Sequence, residues 1–224
     1  MKKLFLLFLP VVLIISTCEK KDDGPNPNDI INIPDTAFLS ALITEGVDTD
    51  GDGKISYAEA EAVLKIDFGN DRGNHNWPGQ GFKIESLVGI EAFTNLTFLN
   101  CRGNFISSLN VSNNTSLTLL HCCGNNLTDL DVSKNTSLLS LECAGNKLTT
   151  LDISNNTNLI DFNCNRNLLT NLDVSRNTRL EGIDISYMPN LEKVCVWTTP
   201  FPINNISVWW ESSPNVYFTT DCGK

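Results

Sequence analysis

The chain has two histidines, His75 and His121, in 224 residues. That scarcity removes most general-base chemistry. No G-x-S-x-G or H-E-x-x-H run occurs, and no cysteine–histidine pair has an acid placed to orient it. The sequence therefore predicts a protein that is not an enzyme. Positive charge is also scarce: 16 lysines and arginines face 26 acids, a formal charge of -10. This argues against nucleic acid and against anionic lipid headgroups as partners. A long apolar run is missing as well. Leu4 to Ile15 is apolar for about a dozen residues and is broken by Pro10, too short and wrongly flanked for a retained membrane span.

What the chain has instead is a period. Leu96, Leu117, Leu138, Leu159 and Leu180 recur at one constant interval, and four full copies align without gaps. Each copy carries L-x-x-L-x-C-x-x-N-x-L, with Ile106 and Phe162 as substitutions, which is the leucine-rich-repeat pattern. Leu99/Cys101, Leu120/Cys122, Leu141/Cys143 and Phe162/Cys164 alternate with polar neighbours, so each copy holds a short strand buried on one face. A second inward row follows: Leu109/Val111, Leu130/Val132, Leu151/Ile153 and Leu172/Val174. No single coil can bury both rows, so neighbouring coils must cover one another. The second half lacks a 3.6-residue stripe, so it predicts extended or 3₁₀ turns rather than α-helices. The expected fold is a leucine-rich-repeat solenoid of short parallel strands. Two asparagine columns, Asn104/Asn125/Asn146/Asn167 and Asn114/Asn135/Asn156/Asn177, are expected to satisfy the backbone at the corners.

Upstream of the repeats lies a second motif. Phe38, Leu39, Leu42 and Ile43 form a helical stripe that Asp35 or Thr36 can cap. Residues 48–59 then match a 12-residue EF-hand loop at every ligand position. Asp48, Asp50 and Asp52 supply carboxylates, Lys54 a carbonyl, Ser56 a water-mediated contact and Glu59 a bidentate carboxylate. Gly53 permits the turn, Ile55 points into the core, and Ser56-x-x-Glu59 also reads as a capping box. The cofactor expected here is structural Ca2+, since carboxylates this close repel without a cation. Leu64, Ile66 and Phe68 alternate as a first edge strand. Residues 69–81 interrupt as a Gly- and Asn-rich loop, and Ile84, Leu87 and Ile90 resume the inward pattern. The loop unit is thus expected to cap the amino-terminal end of the core.

At the other end, Leu180, Ile183 and Ile185 run on to Leu191, Val194 and Val196 after about half the regular interval, which reads as a fifth repeat cut short. Trp197, Phe201, Trp209, Trp210, Tyr217 and Phe218 follow and can cover the last coil; the rival use is an aromatic platform for sugars. The repeat cysteines Cys101, Cys122, Cys143 and Cys164 are expected to be small buried hydrophobes. Adjacent parallel strands hold them in poor disulfide geometry. Cys195 and Cys222 are expected to form a disulfide on the cap. Cys123 faces out of the sheet without an assigned role.

The first residues address the chain. Lys2 and Lys3 precede the apolar run, which ends Ile15-Ser16-Thr17-Cys18 and resembles a bacterial lipobox. The resemblance implies cleavage before Cys18 and its diacylation, making the membrane a partner through the lipid anchor alone. Removing residues 1–17 takes away Lys2 and Lys3 and no acid, leaving 14 basic and 26 acidic residues, or -12. Glu19-Lys20-Lys21-Asp22-Asp23 resembles the acidic surface-export signal of Bacteroidetes lipoproteins. The domain reading is a signal peptide over 1–17, a flexible tether over 18–33, a calcium cap over 34–68, a loop over 69–83, the solenoid over 84–194 and a carboxyl-terminal cap over 195–224.

Taken over nearly the whole mature chain, these segments resemble the leucine-rich-repeat lipoproteins of Bacteroidetes, with internalin-like solenoids. The LDVSxN signatures, IPDTAFLSALITEGVDTDGDGKIS, SLVGIEAFTNL and VYFTTDC carry the resemblance. It implies an outer-membrane lipoprotein exposed at the surface, binding a protein of the host or of another cell; a monomer is expected. The outward strand residues are the candidate contacts: Phe98, Asn100 and Arg102, Leu119 and His121, Glu142, Asp161 and Asn163, and Asp184, with Lys193, Cys195 and Trp197 continuing the row. Glu142 and Asp161, on neighbouring strands, are too open to serve as a glycosidase pair. The alternative function is glycan capture in a polysaccharide-uptake system through Trp197, Trp209 or Trp210.

Overall fold

The computed structural model describes residues 24–69, 83–199, 207–213 and 215–223. The protein is a leucine-rich-repeat solenoid. Among the described residues, three-residue strands occur in chain order: β1 (Lys65–Asp67), β2 (Phe98–Asn100), β3 (Leu119–His121), β4 (Ser140–Glu142), β5 (Asp161–Asn163), β6 (Asn171–Asp173), β7 (Gly182–Asp184), β8 (Lys193–Cys195), β9 (Ser207–Trp209) and β10 (Tyr217–Thr219). Seven form one parallel sheet in the order β1-β2-β3-β4-β5-β7-β9. They are parallel because each coil completes one turn before its strand recurs. The register is leucine on leucine: Leu99 opposes Leu120, Leu120 opposes Leu141, and Leu141 opposes Phe162.

Both inward rows are buried. Leu96, Leu117, Leu138 and Leu159 have no exposure, nor have Val111, Val132, Ile153 and Val174. Burying one such side chain is worth about 1.5–3 kcal/mol, so the stack is held by coil-on-coil contact. The four repeat cysteines lie in this interior as free thiols. From β2 to β5 the return half of each coil runs through turns without helix, as its missing 3.6-residue stripe implied.

The corners are closed by the first asparagine column. Asn125 donates through Nδ2 to the carbonyls of Cys101 and Cys122 at 3.0 Å each, and its Oδ1 accepts from Ile106 N–H at 3.0 Å. Asn146 and Asn167 repeat the pattern. Each amide thus ties its own coil to the preceding one. The second column behaves differently. Asn135 donates to the carbonyls of Val111 and Asn114, but the buried Oδ1 atoms of Asn114, Asn135, Asn156 and Asn177 accept nothing among the described residues.

The fifth coil corrects the sequence reading. β8 pairs with β6, not with β7, and with β10 they form a second parallel sheet, order β10-β8-β6. Leu172 opposes Val194, whereas the regular interval would bring Lys193 to that place, so the coil is extended by a single position rather than truncated. Lys193, Cys195 and Trp197 therefore leave the row to which they were assigned. The cause is that both inward rows alternate with period two, so spacing alone cannot tell which row Leu191, Val194 and Val196 continue. The next strand of the main sheet is β9, where Val208 opposes Ile183. Its corner is closed by Ser213, whose Oγ donates to Ile185 O at 2.8 Å and accepts from Met188 N–H at 3.0 Å.

Two helices close the amino-terminal end, α1 (Thr36–Thr44) and α2 (Tyr57–Ala62). Phe38 packs edge-on against Phe68 at 5.9 Å, and Leu42, Ile55 and Ala60 join the continuous core. Asp35 clamps cap to solenoid. Its Oδ1 accepts from the N–H groups of Ala37 and Phe38, and its Oδ2 from those of Glu85 and Ser86. Burial alone would raise its pKa; these four donors outweigh that and hold it below the ordinary carboxylate value. Leu64 differs from expectation, being 59% exposed, while Ile66 and Phe68 point inward.

The tether boundary also shifts among the described residues. Ile30 bridges to Ser56, Ile31 N–H donates to Ile55 O at 2.8 Å, and Tyr57 N–H donates to Asp29 O. Ile31 is buried against the core, which explains why this segment docks rather than floats. At the far end Trp197 and Phe218 cover the core, whereas Trp209, Trp210 and Tyr217 are 51%, 43% and 54% exposed.

Candidate binding face and metal loop

The pleat of the seven-stranded sheet sends alternate residues outward in two rows. One runs Lys65, Phe98, Leu119, Ser140, Asp161, Gly182, Ser207. The other runs Asp67, Asn100, His121, Glu142, Asn163, Asp184, Trp209. The expected contacts Phe98, Asn100, Leu119, His121, Glu142, Asp161, Asn163 and Asp184 all lie in these rows, with Arg102 at the rim.

The face changes character along its length. At the amino-terminal end Lys65 Nζ sits 4.8 Å above the Phe98 ring, and Phe98 meets His121 edge-on at 5.6 Å. His121 Nε2 is 3.8 Å from a Glu142 oxygen, a separation too long for a direct hydrogen bond. The other Glu142 oxygen is 3.8 Å from Cys123 Sγ. Burial first, and then this carboxylate, pushes the Cys123 thiol up to about 11, so it is a protonated lining group rather than a nucleophile. Burial likewise pushes Cys101 up to about 12. Toward the carboxyl end the face turns acidic. Glu142, Asp161, Asn163, Asp184 and Trp209 surround a hollow of about 300 Å³ floored by Gly182.

Above the strands lies a ledge of backbone. Gly103, Gly124 and Gly145, at equivalent positions of successive coils, all have positive φ, at 70°, 64° and 63°. Arg166 and Tyr187 hold the same conformation in the next two coils, and the Arg166 guanidinium stacks 4.8 Å from the Tyr187 ring. A non-glycine residue there carries about 1–2 kcal/mol of local strain. The ledge and the rim residues Arg102 and Phe105 enclose a shallow hollow of about 610 Å³.

Sequence reading missed a second groove. About 990 Å³ in volume, it lies over the return side, where Asp129, Asp131, Asp152 and Asp173 face Arg176 and Lys193. Asp131, Asp152 and Asp173 each accept from the N–H of the serine two positions on, at 2.9, 2.8 and 2.9 Å. The signal was the aspartate that follows Leu130, Leu151 and Leu172. Its turn-forming role accounts for the repetition. At the groove's end Cys195 and Cys222 form a disulfide, with Cα atoms 5.4 Å apart.

In the acidic loop, carboxylate oxygens of Asp48, Asp50 and Asp52 come within 4.8 Å of one another. Gly51 and Gly53, at φ 77° and 79°, make the turn that gathers them. Asp48 accepts from the N–H groups of Gly51 and Gly53, Asp50 from Asp52 and Asp52 from Lys54, which fixes the three side chains inward. Glu59 is not in that cluster. One of its oxygens accepts from Thr49 N–H and hydroxyl, the other from Ser56 N–H and hydroxyl. Burial would raise Glu59, but these donors outweigh it and hold it down to about 2, so it is ionised at neutral pH. Three oriented carboxylates and a permissive turn, with the ionised Glu59 outside the cluster, have the donor chemistry of a hard cation such as Ca2+. The segment ending at Cys18 that resembles a lipobox lies outside the described residues. No helix among the described residues is long and apolar enough to cross a membrane.

No family model matches this chain, and no curated protein does. Among solved structures, an internalin (inlF) from Listeria monocytogenes is 19% identical with a TM-score of 0.45, over 84% of this chain and 71% of that one. The functional domain of InlJ from Listeria monocytogenes, described as including a cysteine ladder, is 20% identical with a TM-score of 0.34, over 88% of this chain and 64% of that one. A leucine-rich-repeat protein from Leptospira interrogans is 20% identical with a TM-score of 0.47, over 62% of this chain and 36% of that one.

Proposed function

We propose that this chain is a lipid-anchored protein of the cell envelope that binds a protein partner on the outward face of its long sheet. A single observation carries the reading: seven strands in unbroken register present two side-chain rows on one continuous surface. Such a ladder is how a solenoid offers a large, rigid recognition area at low ordering cost. The face has what protein interfaces use, an apolar and aromatic patch at Phe98, Leu119 and His121 beside a charged rim. It lacks what catalysis uses, because open rows desolvate their carboxylates poorly.

Ca2+ is the expected resident ion of the loop, held by Asp48, Asp50, Asp52, the Lys54 carbonyl and Glu59, with Ser56 acting through water. Its role is structural. It neutralises the loop that braces Ile55 against the core and so keeps the amino-terminal end sealed. Anchoring is assigned to diacylated Cys18 and location to the outer surface of the cell, on the lipobox and the acidic residues after it.

The test is affinity capture from host-cell or neighbouring-cell surface extracts, using the full protein with Ca2+ or chelator. A partner retained by the wild type should be lost with Phe98→Ala/Leu119→Ala/His121→Ala. Retention by that variant, with loss on Asp131→Asn/Asp152→Asn instead, would move the site to the return-side groove.

A further inference from the structure

The hollow at the carboxyl end of the face is built by an absent side chain. In the row where other coils carry Phe98, Leu119, Ser140 and Asp161, the fifth coil carries Gly182. Its backbone does not require glycine, because Gly182 is not among the positive-φ glycines. What it requires is space. A Cβ there would lie 2.9 Å from Asp161 Oδ1 and 3.8 Å from Trp209 Cζ3. Trp209 belongs to the other row, opposite Asp184, so its indole leans diagonally across the pleat to flank Gly182. A ring and a carboxylate thus face each other across an empty position.

The slot is charged in one sense. Glu142, Asp161 and Asp184 line it, and no lysine or arginine does among the described residues. Asp184 is fixed in place, accepting from Asn165 Nδ2 at 2.6 Å and from Ser186 N–H at 3.0 Å. The Asp161 carboxylate accepts no hydrogen bond and pairs with no cation among the described residues. An aromatic face opposite the unpartnered Asp161 carboxylate, with Asp184 beside it, is an environment that attracts an ammonium or guanidinium, by cation–π attraction and by charge-assisted hydrogen bonds.

We propose that this slot takes a lysine or arginine side chain offered by the protein partner, held between the Trp209 ring and the carboxylates of Asp161 and Asp184. The proposal rests on the protein-binding reading of the face and adds the chemistry of one contact. Charge complementarity favours it over a sugar. A neutral sugar could also stack on Trp209 and donate hydroxyl hydrogen bonds to the carboxylates, but it brings no positive charge to offset three negative groups. The size agrees, since about 300 Å³ is at the bottom of the range for pockets that enclose whole ligands. It suits one side chain projecting from a larger body.

The experiment is an NMR titration of the full, ¹⁵N-labelled protein with N-acetyl-arginine methylamide and N-acetyl-lysine methylamide, and in parallel with glucose and N-acetylglucosamine. The expected result is saturable movement of the Gly182 amide and the Trp209 indole signals with the basic probes, weakened by added salt. Asp161→Asn should weaken the fitted affinity by about fivefold, the worth of a partly exposed ion pair. Gly182→Val should abolish the response; because it could disturb the sheet, Trp209→Ala serves as the second variant. Movement with the neutral sugars alone would overturn the proposal in favour of a glycan site. So would no movement with any probe, or a response to arginine unchanged by Asp161→Asn. None of these outcomes touches the binding loss expected from Phe98, Leu119 and His121 at the far end of the face, so the two readings fail separately.

Discussion

The two asparagine columns look alike in sequence and should not be equivalent in energy. Consider Asn146→Ala and Asn156→Ala, both in the coil that carries β4. Asn146 makes three good bonds: Nδ2 to Cys122 O at 3.1 Å, Nδ2 to Cys143 O at 2.9 Å, and Oδ1 from Leu127 N–H at 3.0 Å. Each is worth about 1 kcal/mol net, and a buried N–H left without a partner costs about 1–3 kcal/mol. Truncating Asn146 should therefore cost about 4 kcal/mol. Asn156 makes two such bonds, to Val132 O and Asn135 O at 2.9 Å each, and its buried Oδ1 accepts none among the described residues. Truncation loses the two donors but also removes an oxygen that was desolvated without return. The expected cost is about 1–2 kcal/mol. Equilibrium urea unfolding, followed by circular dichroism in Ca2+, reads both values, with the slope checked because stacked coils can unfold in parts. If Asn156→Ala proved as damaging as Asn146→Ala, the separation of a bridging column from a donating column would be wrong.

Three further outcomes follow from particular contacts. Gly124→Ala should cost about 1–2 kcal/mol by thermal unfolding, because φ is 64° while the nearest atoms stand 3.7 Å from the new Cβ, so the cost is backbone strain rather than a clash. Asp35→Ala should cost about 3 kcal/mol, since it removes an N-cap and two bonds to the solenoid at once. The pKa of Asp35 is depressed on folding, so its contribution is present above the unfolded value of 3.8 and is lost as pH falls through the folded value. The gap in melting temperature between wild type and Asp35→Asn should therefore narrow as the pH falls from 3.8 through the folded value, and a constant gap would refute the clamp. Cys222→Ser opens a link with a sequence separation of 27 and should lower the stability of the last coils by about 3 kcal/mol or less, with little effect on the amino-terminal cap, as read by hydrogen exchange.

Much of this molecule is legible as a line of letters because a repeat states the same physical requirement several times over. Leu96 and its equivalents fix which side chains turn inward, and a buried asparagine recurring once per coil marks each corner. The legibility failed where repetition stopped. Leu191, Val194 and Val196 satisfy either inward row, and the single inserted position that decides between them has no signature of its own. Ile31 looked like part of a polar tether because nothing nearby in sequence reveals the pairing with Ile55. The slot at Gly182 was unreadable for a related reason. Its wall, Trp209, arrives from a strand beyond the regular repeats, and its floor is defined by an atom that is missing. The acidic loop is the opposite case: its spacing is entirely local, so the convergence of Asp48, Asp50 and Asp52 within 4.8 Å could be expected from the letters, whereas Glu59 stands outside that cluster.

The claim that the outward strand face is the recognition surface is tested most directly by site-specific photocrosslinking. A benzophenone amino acid placed at Leu119 on the face, or at Asp152 in the return-side groove, reports which surface touches the partner in the assembled complex. Adducts from position 119 and none from position 152 are the predicted result. Adducts from position 152 alone would contradict it.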